Sequence, residues 1–286
     1  MNRIRNSWNL FAASLNVLKA DKELLVFPLI SAVGLVLVTI TFMLPLLLGN
    51  VLDGIIGRGL GAFETLIGLA YYLVQYTIIF FANTALVGAA MVRLRGGDPT
   101  LKDGLRIATS RLIPILGYAL ISATVGIILR WISERSSTLG RFIASLVGLA
   151  WNVASYLVVP VLAVEDVGPV EAIKRSAALL KQTWGEQIVG NFGFGLISFI
   201  VTMVTLGAGG IGVILALQTS APLLAAAIVA ALAVLVLVLW GLVSSALNGI
   251  YLAAVYQYAA EGQTAGFFDP ELVKNAFRVQ EKRSLV

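Results

Sequence analysis

The chain has 286 residues, 59% of them hydrophobic and only 12% charged, with a net charge of +5 and neither cysteine nor histidine. Soluble domains carry about twice that charged fraction, so a water-soluble globular fold is excluded. The missing residue types also exclude disulfides, thiol nucleophiles and the usual imidazole ligand or base; no metal site, cofactor or catalytic centre is expected.

In chain order, the first segment is a predicted amphipathic helix. Ile4, Trp8, Phe11, Leu15 and Leu18 form one apolar stripe opposite Arg5, Asn9, Asn16 and Lys19, the pattern of a helix lying at a membrane–water interface. The charge-free run Leu24–Leu52 follows. A span needs roughly 20 apolar residues, and this run is too long for a signal-peptide core and lacks a small-residue cleavage site, so it reads as a retained anchor. Thr65–Val92 is a second charge-free run. Glu64 stands at its outer edge, where interfacial solvation explains it, and Tyr71, Tyr72, Gln75 and Tyr76 give it a polar stripe assigned to packing.

Next comes a weaker amphipathic helix, Leu101, Leu105, Ala108 and Leu112 against Lys102, Asp103, Arg106 and Thr109. Asp98-Pro99 is its expected start, with Asp98 as cap and proline at the first helical position. Spans three and four are the runs Leu112–Leu129 and Phe142–Val164, joined by a loop in which Arg130, Arg135 and Arg141 surround Glu134 beside Trp131. Snorkelling and headgroup contact account for that cluster. A third amphipathic helix starts at Gly168-Pro169, with Val170, Ile173, Ala177, Leu180 and Trp184 opposite Glu171, Lys174, Arg175 and Lys181.

The last run, Gln187–Ala260, is 74 residues long, and Gln218-Thr-Ser-Ala-Pro222 divides it into Ile188–Leu217 and Leu223–Tyr258. The second piece would reach about 54 Å as one helix, so it must tilt, protrude or break. Gly207-Ala-Gly-Gly-Ile-Gly212 either packs closely against another helix or ends the fifth span early. As text it fits the dinucleotide fingerprint, but it lacks the strand before it and the acid about 20 residues on. Asp269-Pro270 opens a further short helix in the tail.

The runs are continuous rather than alternating, so barrel strands are excluded and helices remain. The expectation is an all-α integral membrane protein with about six transmembrane helices. Of the 20 lysines and arginines, 16 fall in residues 1–23, 93–111, 165–187 and 259–286, and 4 in the intervening loops. That asymmetry places both termini in the cytoplasm, at the cell (inner) membrane. It sets the basic islands beside anionic headgroups, without a nucleic-acid partner.

Three features recur together. Each odd span is preceded by an amphipathic helix, Leu-Ile-Ser stands at 29–31, 120–122 and 196–198, and the even spans carry Asn83, Asn152 and Asn248. The expected layout is a single membrane domain over 1–286, built of three parallel units at about 1–95, 96–165 and 166–262, with a cytoplasmic tail over 263–286. Each asparagine lies roughly 15–20 Å along its helix from the next cytoplasmic charge, near the midplane. Interhelical hydrogen bonding, about 0.6–2 kcal/mol each, is the preferred account, over a polar site where the units converge.

The segments Trp8–Pro28, Pro99–Ala108 and Trp151–Gly190, the last with WNVASYLVVPVLAVEDVGPVEAIKRSAALLKQTWGEQIVG, resemble an uncharacterised prokaryotic family of six-helix integral membrane proteins. Its layout is similar to the membrane domain of glycerophosphodiester phosphodiesterases. That resemblance implies membrane residence; no soluble hydrolase domain accompanies it here. Mitochondrial carriers share the three two-helix repeats but not the proline–acid–base signature of their odd helices. The expected role is a non-enzymatic membrane module acting through lipid or a membrane-protein partner. The alternative is a transporter or channel for a small solute using Asn83, Asn152 and Asn248.

Overall fold

A computed structural model of the chain describes residues 2–48, 61–184, 193–219, 221–262 and 266–268. Its regular structure is helical throughout those residues: α1 Asn2–Ala20, a 3-10 turn Lys22–Leu25, α2 Val26–Leu48, α3 Ala62–Leu94, α4 Leu101–Ser110, α5 Leu112–Arg135, α6 Thr138–Ala154, α7 Val158–Val164, α8 Pro169–Trp184, α9 Gly193–Ala216 and α10 Pro222–Glu261. Counting α6 and α7 as one, six of these are long and apolar enough to cross a membrane. The protein is an all-α, multi-pass membrane protein.

The packed core lies at one end of the bundle. Leu10, Val17 and Phe27, then Leu86, Ala89 and Ala90 of α3, Leu157 and Val161 beside and in α7, Leu180 of α8, and Leu247, Ile250 and Ala254 of α10 are all buried. Among the described residues, the charges at 19–23, 93–111, 165–181 and 261 adjoin this end, while Arg130, Glu134, Arg135 and Arg141 stand at the other. Towards the other end the side chains open outwards: Leu37, Ile40 and Leu47, Ile127 and Ile128, Val204 and Ile214, and Leu232 and Val238 are exposed. Burial by protein thus stops where apolar surroundings can take over, as a bilayer requires. Helix α3 is the hub, packing on α2, α4, α5, α7 and α10.

Two glycines set how closely the hub is approached. A Cβ at Gly104 would lie 2.4 Å from Phe27 Cζ and 2.8 Å from the Ala85 carbonyl oxygen, so α4 crosses α3 with nothing between the backbones. A Cβ at Gly249 would lie 2.4 Å from Leu86 Cδ2, so there α10 leaves room for a leucine side chain of α3. Small residues permit such contact where lipid-like side chains give no hydrophobic contrast.

The short helices dock through faces that overlap the expected stripes: Leu18, Ala108 and Leu180 are buried, and Phe11, Leu15, Leu101, Leu105 and Ile173 pack against the core. On α1 the buried set is Leu10, Ala13, Ser14, Val17 and Leu18, while Trp8 is 57% exposed. On α8 it is Ala172, Ser176, Leu179 and Leu180, with Val170 exposed. On α4 it is Gly104 and Ala108. Beside large apolar residues, the docking faces take in small ones outside the stripes, Ala13, Ser14, Ala172 and Ser176, which permit close contact. The side chains of Ile4, Arg5, Glu64 and Trp184 and the helix expected at Pro270 lie outside the described residues.

One helix start is corrected, and three of the spans gain detail. Helix α4 begins at Leu101 rather than Pro99, because Thr100 is its cap. Thr100 Oγ1 accepts from the Asp103 amide at 3.3 Å and Asp103 Oδ2 accepts from the Thr100 amide at 3.1 Å, a reciprocal capping box. Asp98 instead pairs with Arg93 at 2.6 Å. The fourth span is broken at Ser155–Leu157. Pro160 has no N–H to give the Tyr156 carbonyl, and its ring would clash with that carbonyl in a continuous helix; Ser176 Oγ accepts the Leu157 amide at 2.9 Å across the break. The glycine-rich segment does not end the fifth span, since α9 runs through it to Ala216, and α10 is one unbroken helix of 40 residues. That corresponds to about 60 Å, so α10 tilts or protrudes. Pro222 opens it and Gly262, at φ 68°, closes it in the left-handed conformation.

Candidate functional site

The end of the bundle that holds the core also holds a girdle of charge pairs between elements far apart in sequence. Asp21, at the junction of α1 and the 3-10 turn, accepts Arg93 Nε of α3 at 3.2 Å. The same arginine reaches Asp98. Glu23 Oε2 accepts the Leu101 amide at 2.9 Å, satisfying a donor in the first turn of α4. Arg95, just past α3, pairs with Glu261 at the end of α10, and Arg111 pairs with Asp166. Glu165, just past α7, accepts Arg175 Nε of α8 and the hydroxyl of Tyr256 on α10, each at 2.9 Å.

Asp21 is the most enclosed of these groups, only 6% exposed. Burial pushes its carboxyl above the ordinary aspartate value, and the Arg93 guanidinium opposes that shift. Asp103 is solvated and shifts the other way, because the Thr100 hydroxyl and amide both donate to its carboxylate.

A cavity of about 350 Å³ opens in this girdle between α3, α4 and α7. Gly88, Met91 and Val92 of α3, Ile107 of α4 and Val164 of α7 line it, and Arg95 stands among them as a cation. Positions 88, 91 and 92 of α3 and Arg95 just past its end continue one helix face. Pockets that bind small molecules run from about 300 to 1,000 Å³ and combine apolar walls with a few polar groups.

The residues singled out from sequence lie elsewhere. Asn83 is half-buried in α3, whereas Asn152 on α6 and Asn248 on α10 are exposed on the bundle. The polar stripe of α3 ties it to α2: Gln75 Nε2 donates to Thr39 Oγ1 at 3.1 Å, and Tyr71 and Thr39 hydroxyls lie 3.2 Å apart. Tyr76 stacks on Phe80, which meets Tyr118 of α5. Arg130 pairs with Glu134 at 2.7 Å and Arg135 lies over the Trp131 ring. Gly209 and Gly212 face Ala233 and Val229, each 2.9 Å from the built Cβ, so the glycine motif is a packing surface of α9 on α10. Among the described residues no three acidic, histidine or cysteine side chains are grouped to hold a metal.

The girdle itself was not picked out from sequence. Arg95 and Glu261 are 166 residues apart, and nothing in their spacing links them. The one available sign is that Arg93, Arg95, Glu165 and Glu261 each stand at the edge of a charge-free run.

Comparison with family models places this chain in a family of unknown function, DUF6159, whose model matches residues 62–267; the chain belongs to that family. The match covers α3 to α10 and therefore most of the girdle and the whole cavity. Comparison with curated proteins and with solved structures finds no match.

Proposed function

We propose that this member of the DUF6159 family is a non-enzymatic membrane module that works on the cytoplasmic leaflet, through anionic lipid and the membrane proteins it meets there. The observation that carries the reading is the placement of the packed core and the ion-pair girdle at the end where most of the basic residues lie, with much of the opposite half left to the bilayer. On the positive-inside rule that end is cytoplasmic and both termini are with it. Three units then follow in order, α1–α2–α3, α4–α5–α6/α7 and α8–α9–α10, each a short docked helix followed by a hairpin of spans. Trp8 with the half-exposed Phe11 and Leu15 gives α1 a second apolar face beside Lys19, suited to the headgroup boundary. The likeness in layout to the membrane domain of glycerophosphodiester phosphodiesterases enters here in the same sense, as a lipid-facing domain without hydrolase chemistry.

The solute-transport alternative needs the three asparagines to share an enclosed site, and the exposure of Asn152 and Asn248 gives it less support. The test is reconstitution of the full chain into nanodiscs of phosphatidylcholine alone or with phosphatidylglycerol. The expected result is a melting temperature that rises with the phosphatidylglycerol fraction and falls back at high salt. Indifference to lipid charge overturns the proposal.

A further inference from the structure

We propose that the cavity beside the end of α3 is a site for one anionic glycerophospholipid. Arg95 binds its phosphodiester, the apolar walls take the upper part of an acyl chain, and Glu261 competes for the same guanidinium. This deepens the lipid reading above and rests on it.

The argument starts from how the cavity is layered. Gly88 lies within the charge-free run Thr65–Val92, and Arg95 lies past its end. The two are seven residues apart, about 10 Å along the helix. One wall therefore passes from membrane-spanning sequence to the first charged island, apolar at one level and cationic at the next. That is the profile of an amphiphile held upright: a chain beside Met91, Ile107 and Val164, and an anion at Arg95. A volume of about 350 Å³ is near the lower end for ligand pockets, so the site admits a headgroup junction and part of one chain, not a whole lipid.

The cation is suited to the task. Arg95 is 49% exposed, so an incoming anion reaches it without unfolding the girdle. A guanidinium carries five donors in a fork that matches phosphate oxygens, and Glu261 engages it through one terminal nitrogen. Arg93 is placed differently, only 20% exposed and shared between Asp21 and Asp98. Among the described residues Arg95 thus has one acidic partner, Glu261 at the end of α10. A phosphate that takes Arg95 from Glu261 loosens the tie between α3 and α10, so occupancy is coupled to the hold on the last helix.

The test is native mass spectrometry of the detergent-solubilised full chain titrated with phosphatidylglycerol, with phosphatidylcholine and inorganic phosphate as separate arms. Phosphatidylglycerol is expected to bind more tightly than phosphatidylcholine, and inorganic phosphate should not displace it. Arg95→Gln should weaken phosphatidylglycerol about tenfold, the scale of one charged hydrogen-bond pair. Val164→Phe should weaken it similarly with every charge retained, and Glu261→Gln should tighten it by removing the competitor. Arg106→Gln, on the 76% exposed side chain of α4, should leave it unchanged. A phosphatidylglycerol preference that survives both Arg95→Gln and Val164→Phe overturns this site but leaves the lipid reading intact. Absence of any preference in the wild type overturns both. Displacement by inorganic phosphate replaces the lipid with a free anion and also overturns the assignment.

Discussion

Tyr256 donates a hydrogen bond to Glu165 Oε1 at 2.9 Å across 91 residues of chain. The same carboxylate accepts Arg175 Nε at 2.9 and 3.2 Å, so one side chain fastens the end of α7 to both α8 and α10. Glu165 is partly buried, and removing it leaves a guanidinium and a buried hydroxyl to find new partners. Glu165→Ala is expected to cost about 1–3 kcal/mol. Glu165→Gln should cost less, because its amide oxygen still accepts from Tyr256. Thermal melts in detergent of these two variants and Tyr256→Phe would measure the effect, and a double-mutant cycle isolates the Glu165–Tyr256 coupling. Equal stability of wild type and Glu165→Ala would remove the girdle from any structural role.

The contrast between glycines gives a second prediction. Gly104 has the Phe27 ring and the Ala85 carbonyl where a Cβ would go, while Gly241 has nothing within 4 Å. Gly104→Ala is expected to destabilise by about 1–3 kcal/mol through overpacking, since the Ala85 backbone cannot give way as a flexible side chain would. Gly241→Ala should leave the melt unchanged or raise it, as alanine is the better helix former. Similar losses at both positions would mean that the α4–α3 crossing is not held at this distance.

What was legible in the sequence was whatever the bilayer alone dictates. The charge-free runs map onto α2, α3, α5, α6 with α7, α9 and α10, because a span must be apolar wherever its neighbours stand. Features that depend on one helix meeting another were not. The docking faces of α1 and α8 extend past the expected stripes to Ala13, Ser14, Ala172 and Ser176, residues that carry little hydrophobic signal but allow contact. The break at Ser155–Leu157 has a local sign in Pro160, but an ambiguous one, since proline is tolerated in spans when a neighbour repairs the hydrogen bonding, as Ser176 does here. For the pairing of Arg95 with Glu261 the sequence shows only that each stands at the edge of a charge-free run, because tertiary packing alone brings them together.

The two perturbed aspartates predict opposite responses to acid. Burial raises the Asp21 pKa, so the native state holds that proton more tightly than the unfolded chain. Its contribution to stability is present below the unfolded value and is lost as pH rises through the folded one. Asp21→Asn, neutral at every pH, should therefore gain on the wild type at pH 7, with the gap closing towards pH 4. Asp103 has a lowered pKa, so its contribution is present above the ordinary aspartate value and disappears on acidification through the folded one. Asp103→Asn should lose on the wild type at pH 7, and that gap closes only at more acid pH. Melts at pH 7, 4 and 3 separate the two, and a deficit of Asp21→Asn at pH 7 would mean that the Arg93 pair outweighs the desolvation.

Topology is testable with single-cysteine probes, since the chain contains no cysteine of its own. Lys174 on α8 and Ser137, between α5 and α6, are both exposed and stand at opposite ends of the spans. The proposed topology has Lys174 in the cytoplasm and Ser137 outside. An impermeant maleimide added to intact cells should label Ser137→Cys at once and Lys174→Cys only after permeabilisation. Neither substitution touches the girdle or the cavity, so loss of labelling is not an effect of misfolding there. The reverse pattern would carry the girdle, the Arg95 cavity and both termini to the opposite leaflet. Because anionic lipid is what the basic islands are read to meet, that result would also move the search for a partner to the other face.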